Sequence, residues 1–128
     1  GMIHSGWRGT AQCIGPNAIH IMETYGDNAK DVMAIIGPSI GQCCFEVGPE
    51  VTAQFDRTYS IKGEKDRMML DLKNLVKDQM LANGLLEKNI LVDNQCTCCE
   101  KEYFFSYRRD GKKTGRMVAI SGWQQSSF

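Results

Sequence analysis

The chain has 128 residues with 15 basic and 15 acidic side chains, 42% of them apolar and 23% charged, the make-up of one globular domain with its own core. Balanced charge argues against a nucleic-acid partner, whose phosphates are bound through a basic excess, and no run approaches the roughly 20 apolar residues of a membrane helix. No charged-then-apolar secretory leader opens the chain, and its six cysteines, two pairs of them adjacent, suit free thiols in a reducing cytoplasm better than a disulfide framework.

In chain order, Gly1 to His4 reads as the end of a buried strand, met either just before an initiating Met2 or as a segment of a longer protein. A tight turn at Ser5 to Gly9 leads to Thr10, a candidate cap for a helix of about four turns. Ile14, Ala18, Ile21, Met22 and Tyr25 would form its buried face, and Gly26 would stop it. Val32 to Ile36, closed by Gly37-Pro38, predicts a strand covered on both faces. Ser39 to Val47 has no helical period and predicts a loop with a short strand. Pro49 and Glu50 open a helix packed through Val51 and Phe55.

Residues 57–66 read as a polar surface loop, and Met68 to Leu70 as a short strand. Asp71 caps the next helix, with Leu72, Leu75, Val76 and Met80 as its stripe and Gly84 as its stop. Ile90 to Val92 and Met117 to Ile120 are the last expected strands. Strands alternating with helices predict an α/β fold of mixed α+β type, a layered mixed β-sheet with flanking helices, as a single domain over residues 1–128.

Four segments carry candidate chemistry. In His4-Ser5-Gly6-Trp7-Arg8-Gly9-Thr10, a strand-end imidazole can ligate a metal or move a proton. The glycines free backbone N–H groups for an anion, and Arg8 can fork onto phosphate or carboxylate; a capped structural histidine beside a surface arginine fits the same residues. Gly37 to Gly48 carries glycines after a buried strand, where α/β proteins bind ligands, or is a plain turn holding two small thiols. Cys96-Thr97-Cys98-Cys99 has the two-residue separation of a zinc knuckle or redox pair. A closed zinc site would have to recruit Cys43, Cys44 or His20. No second pair shares that spacing, so inert thiols are the reading. Phe104 to Gly111, followed by Thr114-Gly115-Arg116, could stack a base and bind phosphate, or be a core Phe pair before a hairpin turn at Asp110-Gly111.

Taken together and in order, His-Ser-Gly-Trp-Arg-Gly-Thr (4–10), Gly-Pro-Ser-Ile-Gly with Phe-Glu-Val-Gly (37–48), Cys-Thr (96–97), Phe-Phe-Ser-Tyr-Arg-Arg-Asp-Gly (104–111) and Thr-Gly-Arg (114–116) resemble the laccase-domain, YfiH-like family. The resemblance covers nearly the whole chain as the C-terminal half of that family's domain. It implies a mixed α/β sandwich and a zinc-dependent enzyme that phosphorolyses purine nucleosides (adenosine, inosine, methylthioadenosine) and deaminates adenosine, with purine nucleoside and phosphate as partners. It implies a zinc held by two histidines and one cysteine, with His4 as the second histidine; the other two ligands precede this block. His4 and Arg8 are the expected catalytic residues, His4 the expected metal ligand, and Gly6, Gly9 and Arg108 the expected substrate contacts. The donors absent here would come from an N-terminal half or from a second copy of the chain, and the 128 residues by themselves are expected to be inactive. Two alternatives accompany this reading: a copper-dependent polyphenol oxidase, and a catalytically dead interaction module with an exposed apolar seam.

Overall fold

A computed structural model describes residues 1–122. Its elements run α1 (Trp7–Ala11), α2 (Ile14–Thr24), β1 (Ala34–Ile36), β2 (Glu46–Val47), α3 (Pro49–Thr52), β3 (Ser60–Lys62), β4 (Met68–Leu70), α4 (Leu72–Ala82), β5 (Ile90–Val92) and α5 (Tyr107–Asp110). Strands β1 and β5 pair in parallel, Ala34 opposite Ile90 and Ile36 opposite Val92, while β2, β4 and β3 form an antiparallel sheet in that order. The expected mixed α/β layering is therefore present, divided between two small sheets.

Helix α4 joins the layers, and its signals were plain in the sequence. Asp71 accepts from the Asn74 N–H at 3.1 Å as the predicted cap. Gly84, at φ +96°, ends the helix, and Gly26, at φ +97°, does the same after α2; both conformations burden any residue with a Cβ. Leu75 faces a core of Phe45, Val47, Val51 and Leu70 with Trp7, Ile40 and Phe55 against it. Met80 and Leu81 face a second core built from Ile19, Ala29, Leu85 and Ile90. Lys73 is almost fully buried, yet its ammonium donates to the carbonyls of Asp93 at 2.6 Å and Gln95 at 2.7 Å, pinning the chain just after β5.

Several expectations are corrected. Residues 1–6 form no strand. Thr10 caps nothing: it is buried inside α1, its hydroxyl 2.9 Å from the Ser5 hydroxyl and donating to the Gly6 carbonyl at 3.0 Å. Cys13, at φ +55°, separates α1 from α2. Helix α2 packs through Gly15 and Ile19 instead of the predicted stripe, with Gly15 against Met80 of α4, and leaves Ile21, Met22 and Tyr25 exposed. The segment read as a polar loop contains β3, because Ser60, Ile61 and Lys62 pair with Leu70, Met69 and Met68. Strand β1 is covered on one face only, and Met117 to Ile120 forms no strand and stays exposed.

Candidate functional site

His4 lies at the surface and lines a shallow cleft of about 390 Å³ together with Phe105, Tyr107, Thr114, Gly115, Arg116 and Met117. The cleft thus gathers the first motif with the last two, which are a hundred residues apart in sequence, and leaves Phe105 and Tyr107 with exposed rings. The Thr114 hydroxyl is buried in this wall without a hydrogen-bond partner among the described residues, an arrangement that favours a ligand able to satisfy it. Arg116 folds over the carbonyls of Thr114 and Gly115 at 3.2 and 3.1 Å.

Local chemistry fixes the His4 turn. Gly6 precedes α1 in extended conformation, so the first-turn amides have no helical acceptors. The His4 Nε2 lies 3.0 Å from where a Cβ on Gly6 would stand, so the ring rests over that glycine. Gly9 lies inside α1 against Ile14. Thr10 ties the turn to Ser5 and Gly6, and its carbonyl accepts from the Gln79 amide at 2.9 Å, anchoring the turn to α4. The Arg8 guanidinium stacks 4.3 Å from the Trp7 ring centroid, with no hydrogen bond or ion pair to it among the described residues. His4, Gly6, Arg8 and Gly9 therefore share one turn.

Arg108 does not line the cleft. Its guanidinium donates to the carbonyls of Cys44 at 3.3 Å and Glu46 at 2.7 Å and lies 5.4 Å from the Phe45 ring centroid. Arg109 reaches the other way, donating to the carbonyls of Thr97 at 3.1 Å, Cys98 at 3.0 Å and Phe104 at 2.9 Å. It also forks onto Asp110, whose carboxyl is held below the usual carboxylate range by that bond. Asp110-Gly111 forms no hairpin; it closes α5, which Ser106 caps by accepting from the Arg109 N–H. The sequence pointed to Arg108 as a substrate contact; the cation that lines the cleft is Arg116, whose Thr-Gly-Arg block was visible but had no stated geometry.

The cysteines hold the largest departure from expectation. Among the described residues, the one group of three or more metal-ligating side chains is Cys43, Cys44, Cys96 and Cys99, whose Sγ atoms all lie within 4.8 Å of one another. His4 and His20 are outside it. Burial disfavours ionisation of Cys96, but the N–H groups of Gly41, Cys99 and Cys98 and the Cys43 thiol outweigh it, bringing that thiol down to about 6. Desolvation, followed by hydrogen bonding with the Cys99 thiol, pushes Cys43 up to about 11 and raises Cys44 as well. All six cysteines are free.

A second shallow groove, lined by Gln42, Tyr59, Asp71 and Asp78, holds no motif histidine, arginine or cysteine. Its polar groups serve the fold: Tyr59 donates to Asp78 at 2.8 Å and the Gln42 amide to the Met69 carbonyl at 3.2 Å.

The chain is 37% identical to the purine nucleoside phosphorylase YlmD of Geobacillus stearothermophilus, over 95% of the chain and 47% of the relative. It is 33% identical to the adenosine deaminase RL5 of an unknown prokaryotic organism, over 88% of the chain and 46% of the relative. The crystal structure of the Geobacillus YlmD superposes with a TM-score of 0.81 at 36% identity, covering 88% of this chain and 44% of that one. The chain thus spans about half the length of the curated relatives it matches. No described helix is long and apolar enough to cross a membrane. The family described as multi-copper polyphenol oxidoreductase laccase matches residues 1–124, and the chain belongs to that family.

Proposed function

We propose that the protein carrying this segment phosphorolyses purine nucleosides and deaminates adenosine, and that these residues contribute one wall of its active site. The observation that carries the reading is the convergence of His4, Phe105, Tyr107 and the Thr114–Arg116 block on one cleft. The names of the similar proteins, a purine nucleoside phosphorylase and an adenosine deaminase, support the substrate class.

The cleft suits such a substrate. Exposed Phe105 and Tyr107 rings can lie against a purine, and the unpartnered Thr114 hydroxyl can bond a ribose or base heteroatom. Arg8 on the His4 turn and Arg116 on the facing wall offer cationic forks for phosphate, backed by the amides that follow Gly6 and extend to Gly9. Arg108 acts indirectly, holding the segment that presents Tyr107. In phosphorolysis a phosphate oxygen bonds C1′ as the glycosidic bond breaks, and the purine leaves with that electron pair and takes up a proton. Fixing phosphate and base on opposite sides of the sugar is the protein's main contribution.

Zinc is the proposed cofactor, with His4 as one ligand. His4 belongs to no group of three or more metal-ligating side chains among the described residues, and one imidazole does not hold an ion by itself. These residues alone therefore do not fit the metal. Its remaining donors would belong to the part of the family domain that this chain does not span. Six free thiols favour a reducing compartment, such as the cytoplasm.

The test is product analysis with the whole family domain. Inosine should yield hypoxanthine and ribose 1-phosphate only when inorganic phosphate is supplied, and adenosine should also yield inosine. Oxidation of phenolic dyes in place of nucleoside turnover would establish the copper-oxidase alternative.

A further inference from the structure

We propose that Cys43, Cys44, Cys96 and Cys99 form a tetrathiolate site for one zinc ion, which ties the loop after β1 to the loop after β5. This site is separate from the His4 cleft and does not rest on the activity proposed above.

The geometry is close to what one ion requires. A zinc–sulfur bond of about 2.3 Å in a tetrahedron sets neighbouring sulfurs about 3.8 Å apart. Here Cys99 Sγ lies 3.6 Å from Cys43 Sγ and 3.4 Å from Cys44 Sγ, and no pair among the four exceeds 4.8 Å. These separations are too long for a sulfur–sulfur bond, about 2.05 Å. They are also too compact for an iron–sulfur cluster, which places its own sulfides between the protein thiolates. All-thiolate donors select a soft ion, and closed four-sulfur sites are characteristic of structural zinc.

The backbone around the sulfurs is arranged for thiolates. Gly41 donates its N–H to Cys96 Sγ at 3.2 Å, and a Cβ there would stand 3.2 Å from both Cys43 Sγ and the Cys96 Cβ. Glycine at 41 thus permits the approach that orders the ligand, a role ordinarily filled by groups just outside a metal site. The two loops are already aligned, with Ser39 bridging Cys96 in parallel and the Thr97 N–H reaching the Ser39 carbonyl at 3.1 Å. Arg108 holds the Cys44 carbonyl and Arg109 those of Thr97 and Cys98, so two cations flank a centre that would carry net negative charge. Through α5, the ion would steady Tyr107 in the His4 cleft.

The test uses the metal-stripped protein under reductant, titrated with cobalt(II) as a spectroscopic stand-in for zinc. About one equivalent should bind with thiolate-to-cobalt charge transfer and the strong visible bands of a tetrahedral ion, and zinc should displace it. Cys43→Ser and Cys99→Ser, at exposed positions, should lose the bands, while Cys13→Ser, Cys98→Ser and His4→Ala should keep them. A second readout needs no variant: zinc should protect Cys43 and Cys99 from alkylation and leave Cys13 reactive. The proposal is overturned by any of four results: no charge-transfer band, bands that survive Cys43→Ser and Cys99→Ser, bands lost with His4→Ala, or alkylation that zinc does not slow. A Cys44–Cys99 disulfide persisting under reductant would also overturn it.

Discussion

Replacing Arg109 with alanine should destabilise the fold, lowering the urea midpoint of unfolding with no change in the denaturant dependence. The side chain is 25% exposed, and its guanidinium serves three backbone carbonyls, those of Thr97, Cys98 and Phe104, besides forking onto Asp110. Hydrogen bonds from a charged donor contribute about 1.5–3 kcal/mol each in favourable cases, and their effects do not add fully when one side chain makes several. Truncation would also leave Asp110 without its cation. Arg109→Lys should recover less than half of the loss, since an ammonium cannot satisfy divergent carbonyls as a planar fork does. Urea unfolding of the three proteins checks this; an unchanged midpoint for alanine, as at an ordinary surface position, would mean that these bonds do not secure the Cys96 loop.

The second large effect is association. The described residues leave a broad apolar face on the parallel strands: Ile35 and Leu91 stand opposite each other in register, 73% and 58% exposed, with Met33 beside them at 73%. The inner residues of the same strands, Ala34, Ile36, Ile90 and Val92, belong to the second core. A face this apolar favours association, and the chain spans 47% of the length of the Geobacillus relative. The 128-residue chain should therefore show a mass that rises with concentration in light scattering, and the double substitution Ile35→Lys, Leu91→Lys should return it to a monomer with unchanged far-ultraviolet circular dichroism. A monomeric wild-type chain at all concentrations would show that this face does not drive association. A docking module without catalysis would expose the same seam, so nucleoside turnover, and not the surface, separates those two readings.

What was legible in the sequence follows physical range. Asp71, Gly84 and the apolar stripe between them announce α4, because capping, periodicity and a left-handed stop are all local. The face of α2 was misread because Ile21, Met22 and Tyr25 supply the apolar pattern while the packing runs through Gly15, whose lack of a side chain lets α4 approach. β3 was missed because its residues are polar on average and gain their order from pairing with β4. The two arginines of α5 point to opposite loops, which adjacency in sequence does not reveal. The cysteine pocket illustrates the limit most clearly. A two-residue spacing is visible at Cys96 and Cys99, but the other two donors are adjacent residues more than fifty positions away, brought close by the parallel pairing of β1 with β5.

The proposed function places reactivity at the His4 cleft and gives the cysteine pocket a structural role. The direct measurement is kcat/KM for inosine phosphorolysis by the whole family domain in two variants, His4→Ala and Cys99→Ser. His4→Ala should lower it about a hundredfold or more, and Cys99→Ser should change it within about tenfold, through looser positioning of Tyr107. Full activity in His4→Ala, or a collapse confined to Cys99→Ser, would contradict that placement.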